Sequence, residues 1–271
     1  MATVSSVEAE GRSERGDFTG FIDQWIYVLM AALLAVTVLA GFIPDSFDKI
    51  AAIEAGERPP FSVYSHLHAL SMGAWMLLLL SQSTLMATGN RNYHFQLGIA
   101  GFLLAPMMII SGILLVPQRH ELLWDAWALA GPETKAQLEA TIWRVNNIAL
   151  IQLRAGILFG AFVAIALFVR KRDSGQHKRM LVLATLVPMG AALSRIPWLP
   201  QSFENGPVTN DIYALILASP LFLWDLHRHR RVHKAYLIAG IPWIAASALV
   251  YAVWNEPWWQ ELVPRLMGIA I

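Results

Sequence analysis

Cysteine is absent from the 271 residues, which excludes disulfides, iron–sulfur clusters, thiol nucleophiles and thiolate metal sites. Charge is scarce. Asp, Glu, Lys and Arg make up 14% of the chain, against about a quarter in soluble domains. Neither sign dominates: 20 Lys and Arg meet 19 Asp and Glu for a formal net charge of +1. No basic excess is left to hold a nucleic-acid backbone, so nucleic acid is excluded as a partner. Two motifs are also missing, a Gly-rich phosphate loop after a strand and a His-Glu-x-x-His helix.

What fills the chain instead is apolar, 56% of it. Seven runs are long enough to cross a hydrocarbon core of about 30 Å, which takes roughly 20 helical residues. They lie at 21–43, 66–88, 95–117, 146–170, 180–199, 211–226 and 235–254. The expected fold is therefore all-α, a polytopic membrane helix bundle of about seven transmembrane helices. A polar segment, 1–20, precedes it and is read as cytoplasmic. It is too long and too acidic to lead a signal peptide, so the first span is read as retained. Residues 21–254 form the transmembrane domain and 255–271 an interfacial tail. The 118–145 loop carries Gly131-Pro132-Glu133, a helix-start signal, and predicts a short helix on the outer leaflet.

Lys and Arg count twelve on the amino-terminal side of the spans and six on the other, with Arg154 and Arg195 inside. The positive-inside rule then puts the amino terminus in the cytoplasm and the carboxyl terminus outside. Seven of the eleven tryptophans fall at the outer boundary, where indole suits a half-wet interface. Spans three, five and seven open alike at the inner side, on His94, His177 and His233 beside basic residues. That faint repeat predicts one helix followed by three hairpins. The basic neighbours of these histidines suit lipid phosphate better than a metal ion. His229-x-x-x-His233 has helical metal-pair spacing but sits in an arginine-rich turn.

Ionisable residues inside a membrane mark function more often than loop residues do. Arg154 lies eight residues into the fourth span, about 12 Å deep, and shares a face with Asn147. It needs an anionic or carbonyl partner. Asp211, at the outer end of the sixth span, is the nearest acid, and a bound anion is the alternative. Arg195, just before Ile196-Pro197-Trp198, either snorkels to the interface or joins Arg154 in holding an anion. His66 and His68 open the second span at the same level, and His68, Trp75 and Gln82 form one stripe. His120 stands just past Pro117. Three imidazoles can bind a transition metal, or simply hydrogen-bond water and loop carbonyls. Gly156-x-x-x-Gly160 is a small-residue packing motif, and the seventh span has no lysine for a retinal Schiff base.

The run His66-Leu67-His68-Ala69, then Trp75, Leu78, Gln82, Leu85, Gly89, Arg91, His94 and Gly98, resembles a family of uncharacterised bacterial multi-pass membrane proteins. His177-Lys178-Arg179-Met180-Leu181 and Asp225-Leu226 with His233-Lys234-Ala235-Tyr236 resemble it too. The resemblance covers roughly 65–240, with Asn90 and Lys234 departing from the pattern. It implies one membrane domain in a bacterial inner membrane and no assigned activity.

Three functional expectations follow. In the first, His66 or His68 with His120 ligates haem b or a divalent metal ion in the outer leaflet. Arg154 and Arg195 would then hold an anionic group beside Trp75 and Asn147, in an electron-transfer role. In the second, Arg154 and Arg195 serve a lipid-, quinone- or small-anion-binding protein or transporter without metal. In the third, the chain is a structural subunit of a membrane complex. No acid pair or activated nucleophile points to an enzyme mechanism, and catalytic residues and oligomeric state stay open.

Overall fold

The computed structural model describes the backbone of residues 3–269 and the side chains of residues 18–269. The charged side chains up to Asp17 in the polar leading segment lie outside the described residues. Among these residues the chain is helical without strands. Its long elements are α1 (Thr3–Glu54), α2 (Val63–Ala87), α3 (Arg91–Leu129) and α4 (Pro132–Val169). The fifth segment is broken into α5 (Ser174–Leu186), a 3₁₀ turn (Val187–Met189) and α6 (Gly190–Leu193). The chain ends with α7 (Val208–His229), α8 (Lys234–Val253) and α9 (Pro257–Leu266). Helix starts are chemically marked. Ser62 accepts the N–H of Ser65 ahead of α2, Asp173 that of Gln176 ahead of α5, and Pro132 opens α4 after Gly131.

Five helices are long and apolar enough to cross a membrane: α1 from Phe18, α2, α3, α4 and α8. Only 22–33% of the most apolar stretch in each is buried inside the bundle. The remaining apolar face is too large for water, and lipid suits it. Prolines stand inside four of these or neighbouring helices, at Pro44, Pro106, Pro117, Pro220 and Pro242. Bundle neighbours make such interruptions tolerable.

Three sequence expectations change. The 180–199 run is not one helix, because Pro188 lacks the N–H an α-helix needs and tightens the chain into a 3₁₀ turn. The 118–145 loop holds no separate surface helix: α3 continues to Leu129 and α4 starts at Pro132 and runs on unbroken. Gly156 has open space where a Cβ would sit, while Gly160 packs on the Ile109 side chain. The close backbone approach is made elsewhere, where Gly41 of α1 meets the Ala192 carbonyl.

The long segments alternate in direction along the chain, with α5 and α6 together as one of them. At the amino-terminal end, Gln24 bonds the Ala87 carbonyl and Asp23 binds Arg228. At the opposite, carboxyl-terminal end, Asp45 meets Arg195 and Asn147 meets Asn255. α2 pairs with α3 and α4 with α5, as hairpins should, whereas α7 and α8 meet through long side chains such as Phe222 and Tyr236. α5 sits at the centre against α1, α4, α7 and α8. Around it Met30, Leu34, Phe162, Met180, Leu186, Met189 and Leu221 are almost wholly buried.

Candidate binding sites at the two ends of the bundle

Burial of Arg154 on α4 forces a partner on its guanidinium, and α7 and α8 supply it. Nη1 donates to Asp211 Oδ2 at 2.9 Å and to Ser247 Oγ at 2.6 Å, and Nη2 lies 2.9 Å from Asp211 Oδ1. Asp211 also accepts the Tyr251 hydroxyl at 2.6 Å and the Trp243 indole N–H at 3.3 Å. Two-pronged pairing of this kind is the strong arginine–carboxylate geometry. The Arg154 charge is thereby balanced within the protein.

The three outer histidines stand at the same end with separate partners. His68 Nδ1 is 2.9 Å from the Ser111 hydroxyl, which contacts Ser71 in turn. The His66 ring stands edge-on to Phe61. His120 is buried with Nδ1 3.0 Å from the Val116 carbonyl, so Nδ1 carries a proton, and Nε2 is buried without a hydrogen-bond partner among the described residues. Among the described residues, no three His, Asp or Glu side chains gather into a set that could hold a metal ion. Trp75 donates to Thr185 Oγ1 at 3.0 Å and packs edge-on against Phe159, tying α2 to α5 and α4.

Asn147 belongs to a chain of amides that docks α9. The Asn255 backbone N–H donates to Asn147 Oδ1, so that atom is an acceptor and Asn147 Nδ2 faces Asn255 Oδ1 at 2.6 Å. Gln260 Nε2 donates to the same Asn147 oxygen, which turns Gln260 Oε1 toward Asn146 Nδ2. Trp259 adds an indole bond to the Asn146 carbonyl. Asn146 and Asn147 are therefore buried polar groups serving the junction of α4 with the carboxyl-terminal helix.

Arg195 follows α6. Its Nε donates to Asp45 Oδ2 at 3.1 Å and its guanidinium lies over the Phe42 ring. Asp45 also binds Lys49. Further cations gather beyond this pair, with the acids Asp48, Glu54, Glu57 and Glu121 close to them in the chain. Arg58, Arg144 and Arg195 all lie within electrostatic reach of Arg119, and Arg58 and Arg195 within reach of Lys49. Arg58, Arg119 and Arg144 make no ion pair among the described residues, and Arg58 Nε is buried without a hydrogen-bond partner. Loops and helix ends far apart in sequence bring these charges together, so spacing along the chain does not reveal them.

At the amino-terminal end a second buried pair mirrors the first. Arg179 on α5 donates through Nε and Nη2 to Asp225 on α7 at 2.6 and 2.5 Å, and Tyr236 on α8 donates to Asp225 Oδ2 at 2.5 Å. Sequence reading does not single this pair out, because Arg179 counts there as one more inner-loop cation. The three repeat histidines share this end. His177 Nδ1 bonds the Ala166 carbonyl, His94 lies within electrostatic reach of it, and His233 caps α8. Comparison with protein-family models, curated proteins and solved structures returns no match to this chain.

Proposed function

We propose that the chain is a seven-pass integral protein of a bacterial inner membrane that binds an anionic lipid headgroup at the arginine cluster around Arg195. In this reading α5–α6 and α7 complete the five apolar spans, and the amino terminus is cytoplasmic by the positive-inside count. The cluster then lies at the outer boundary. The observation that carries the reading is a group of arginines without ion pairs: Arg119 lies within electrostatic reach of Arg58, Arg144 and Arg195, and among the described residues only Arg195 of these four is paired, with Asp45. Guanidinium forks suit phosphate oxygens, and the apolar helix faces below suit acyl chains. Arg154 plays no part in this site, since Asp211 already balances it.

The test uses the purified full chain with phosphatidylglycerol or phosphatidylcholine added in detergent. Phosphatidylglycerol should raise the unfolding temperature well above the neutral lipid, and Arg119→Gln/Arg144→Gln should erase most of that difference. An equal shift in parent and variant would sink the proposal.

A further inference from the structure

Between α5 and the turn joining α7 to α8 lies a cavity of about 190 Å³, open on one side and lined by Arg179, His229, Arg231 and His233. Every lining residue carries a nitrogen base, and the volume falls below the roughly 300 Å³ of pockets that take drug-sized ligands. The acids nearby are already matched. Asp225 is held by Arg179 and Tyr236, and Asp173 by Lys234 at 2.8 Å and by the Gln176 N–H. Arg228 is paired with Asp23. Arg231 has no ion pair among the described residues, so the cavity keeps an unbalanced positive charge.

The donors are also positioned. The His233 Nδ1 accepts the Ala235 N–H at 3.1 Å as the cap of α8, which places the proton of a neutral ring on Nε2. That Nε2 lies near Gly175, where an added Cβ would stand 3.6 Å from it and 3.3 Å from both Arg179 Nη1 and Asp173 Oδ1. Gly175 thus leaves room beside these two donors at the first turn of α5, and the Asp173 carboxylate there is already engaged by the Gln176 N–H and by Lys234. Of the five guanidinium N–H groups of Arg179, three are used, on Asp225 and on the Gly175 carbonyl at 2.9 Å. Two remain. His229 stands 3.9 Å from Asp225 at the cavity's other side. The i, i+4 histidine spacing of the sequence therefore brings both rings to a cavity whose remaining walls are arginine.

We propose that this cavity binds a phosphate group, with Arg231 supplying the unbalanced charge and Arg179 and His233 supplying N–H donors. Two hard cations on its walls disfavour a metal ion, whereas a tetrahedral oxyanion offers acceptors to all four residues. The phosphate belongs either to a free anion or to a lipid headgroup, and the chemistry of recognition is the same. This site is independent of the arginine cluster at the opposite end.

The experiment is run on the Arg119→Gln/Arg144→Gln background, so that the opposite cluster contributes nothing. Inorganic phosphate and short-chain phosphatidic acid are titrated separately, with affinity read by thermal shift and by calorimetry. Arg231 is exposed and unpaired, so Arg231→Gln should fold as the parent does. Binding of inorganic phosphate, weakened about tenfold or more by Arg231→Gln, assigns a free anion. Binding of phosphatidic acid alone with the same loss assigns a lipid headgroup. No binding of either, or binding unchanged by Arg231→Gln and by His229→Gln, overturns the site.

Discussion

Asp211 and Asp225 stand at the two ends of α7, about four helical turns apart, and each is held by one arginine and one α8 tyrosine. Asp211 takes Arg154 and Tyr251, and Asp225 takes Arg179 and Tyr236. α8 runs antiparallel, so its two tyrosines meet the two carboxylates in reverse order. Long polar side chains thus fasten α7 to α8 and to the rest of the bundle where close backbone packing does not.

Breaking one partner of such a pair strands a buried charge. Asp225 is 3% exposed and Arg179 5%, so Asp225→Asn should cost about 3–5 kcal/mol of stability. Asp225→Leu combined with Arg179→Met should recover most of that loss, because no charge is then left unpaired. Unfolding in detergent with a titrated denaturant measures both. A parent-like Asp225→Asn would show that the pair is not what holds α7 in place.

The contact of Gly41 with α6 leaves no room for a methyl group. An ideal Cβ there falls 2.2 Å from the Ala192 carbonyl oxygen. Gly41→Ala should therefore lower stability by about 1–3 kcal/mol through backbone displacement. Gly156→Ala, with nothing within 4 Å, should be neutral or gain up to about 1 kcal/mol from helix propensity. Thermal unfolding of the two variants side by side reads the contrast, and the reverse order would refute the α1–α6 approach.

Asp173, in the turn between α4 and α5, titrates below the usual carboxylate value. Its bond from Lys234 and its capping of the Gln176 N–H favour the charged form. A depressed carboxylate contributes fully above its unfolded value near 3.8 and loses that contribution as pH falls through the folded value. Asp173→Asn keeps a capping oxygen but loses the exposed pairing with Lys234, so it should cost at most about 1 kcal/mol at neutral pH, with the gap to the parent closing toward pH 3. A gap that is constant from pH 7 to pH 3 would contradict the assignment.

Because the chain has no native thiol, single cysteines report topology directly. Leu129→Cys, at a position 90% exposed in the connection between α3 and α4, should react with an impermeant maleimide in cells whose outer barrier is opened. Asn92→Cys at the other end should react only after the inner membrane is disrupted. Labelling of both from one side would rule out the proposed orientation.

Much of the fold is written in the apolar runs, since a helix crossing lipid must satisfy its backbone internally and advertise its length. The Arg154 partner is legible for the same reason: a deep guanidinium demands an anionic or carbonyl partner, and Asp211, at the outer end of the sixth span, is the nearest acid. Arg179 is harder, because a cation near a helix entry already has an explanation in the positive-inside rule. Its partner is 46 residues away. The similar intervals, 14 residues from Asp211 to Asp225 and 15 from Tyr236 to Tyr251, are the signal available for it. The Arg58–Arg119–Arg144–Arg195 cluster depends on helix ends meeting in space, and charge counting by loop scatters it. The histidine rings show the limit of position alone. His66, His68 and His120 do lie at one end, but hydrogen bonds to Ser111 and the Val116 carbonyl set where His68 and His120 turn.

The central place of α5 bears on how the chain is made. Gln176, Arg179 and Thr185 face inward on it, and its carboxylate partner is carried by α7. If α5 crosses the bilayer, as the seven-pass proposal has it, Arg179 would meet hydrocarbon alone until α7 brings Asp225. On that proposal a product ending before Asp225 should leave α5 outside the membrane, and the order of insertion would differ from the order of synthesis.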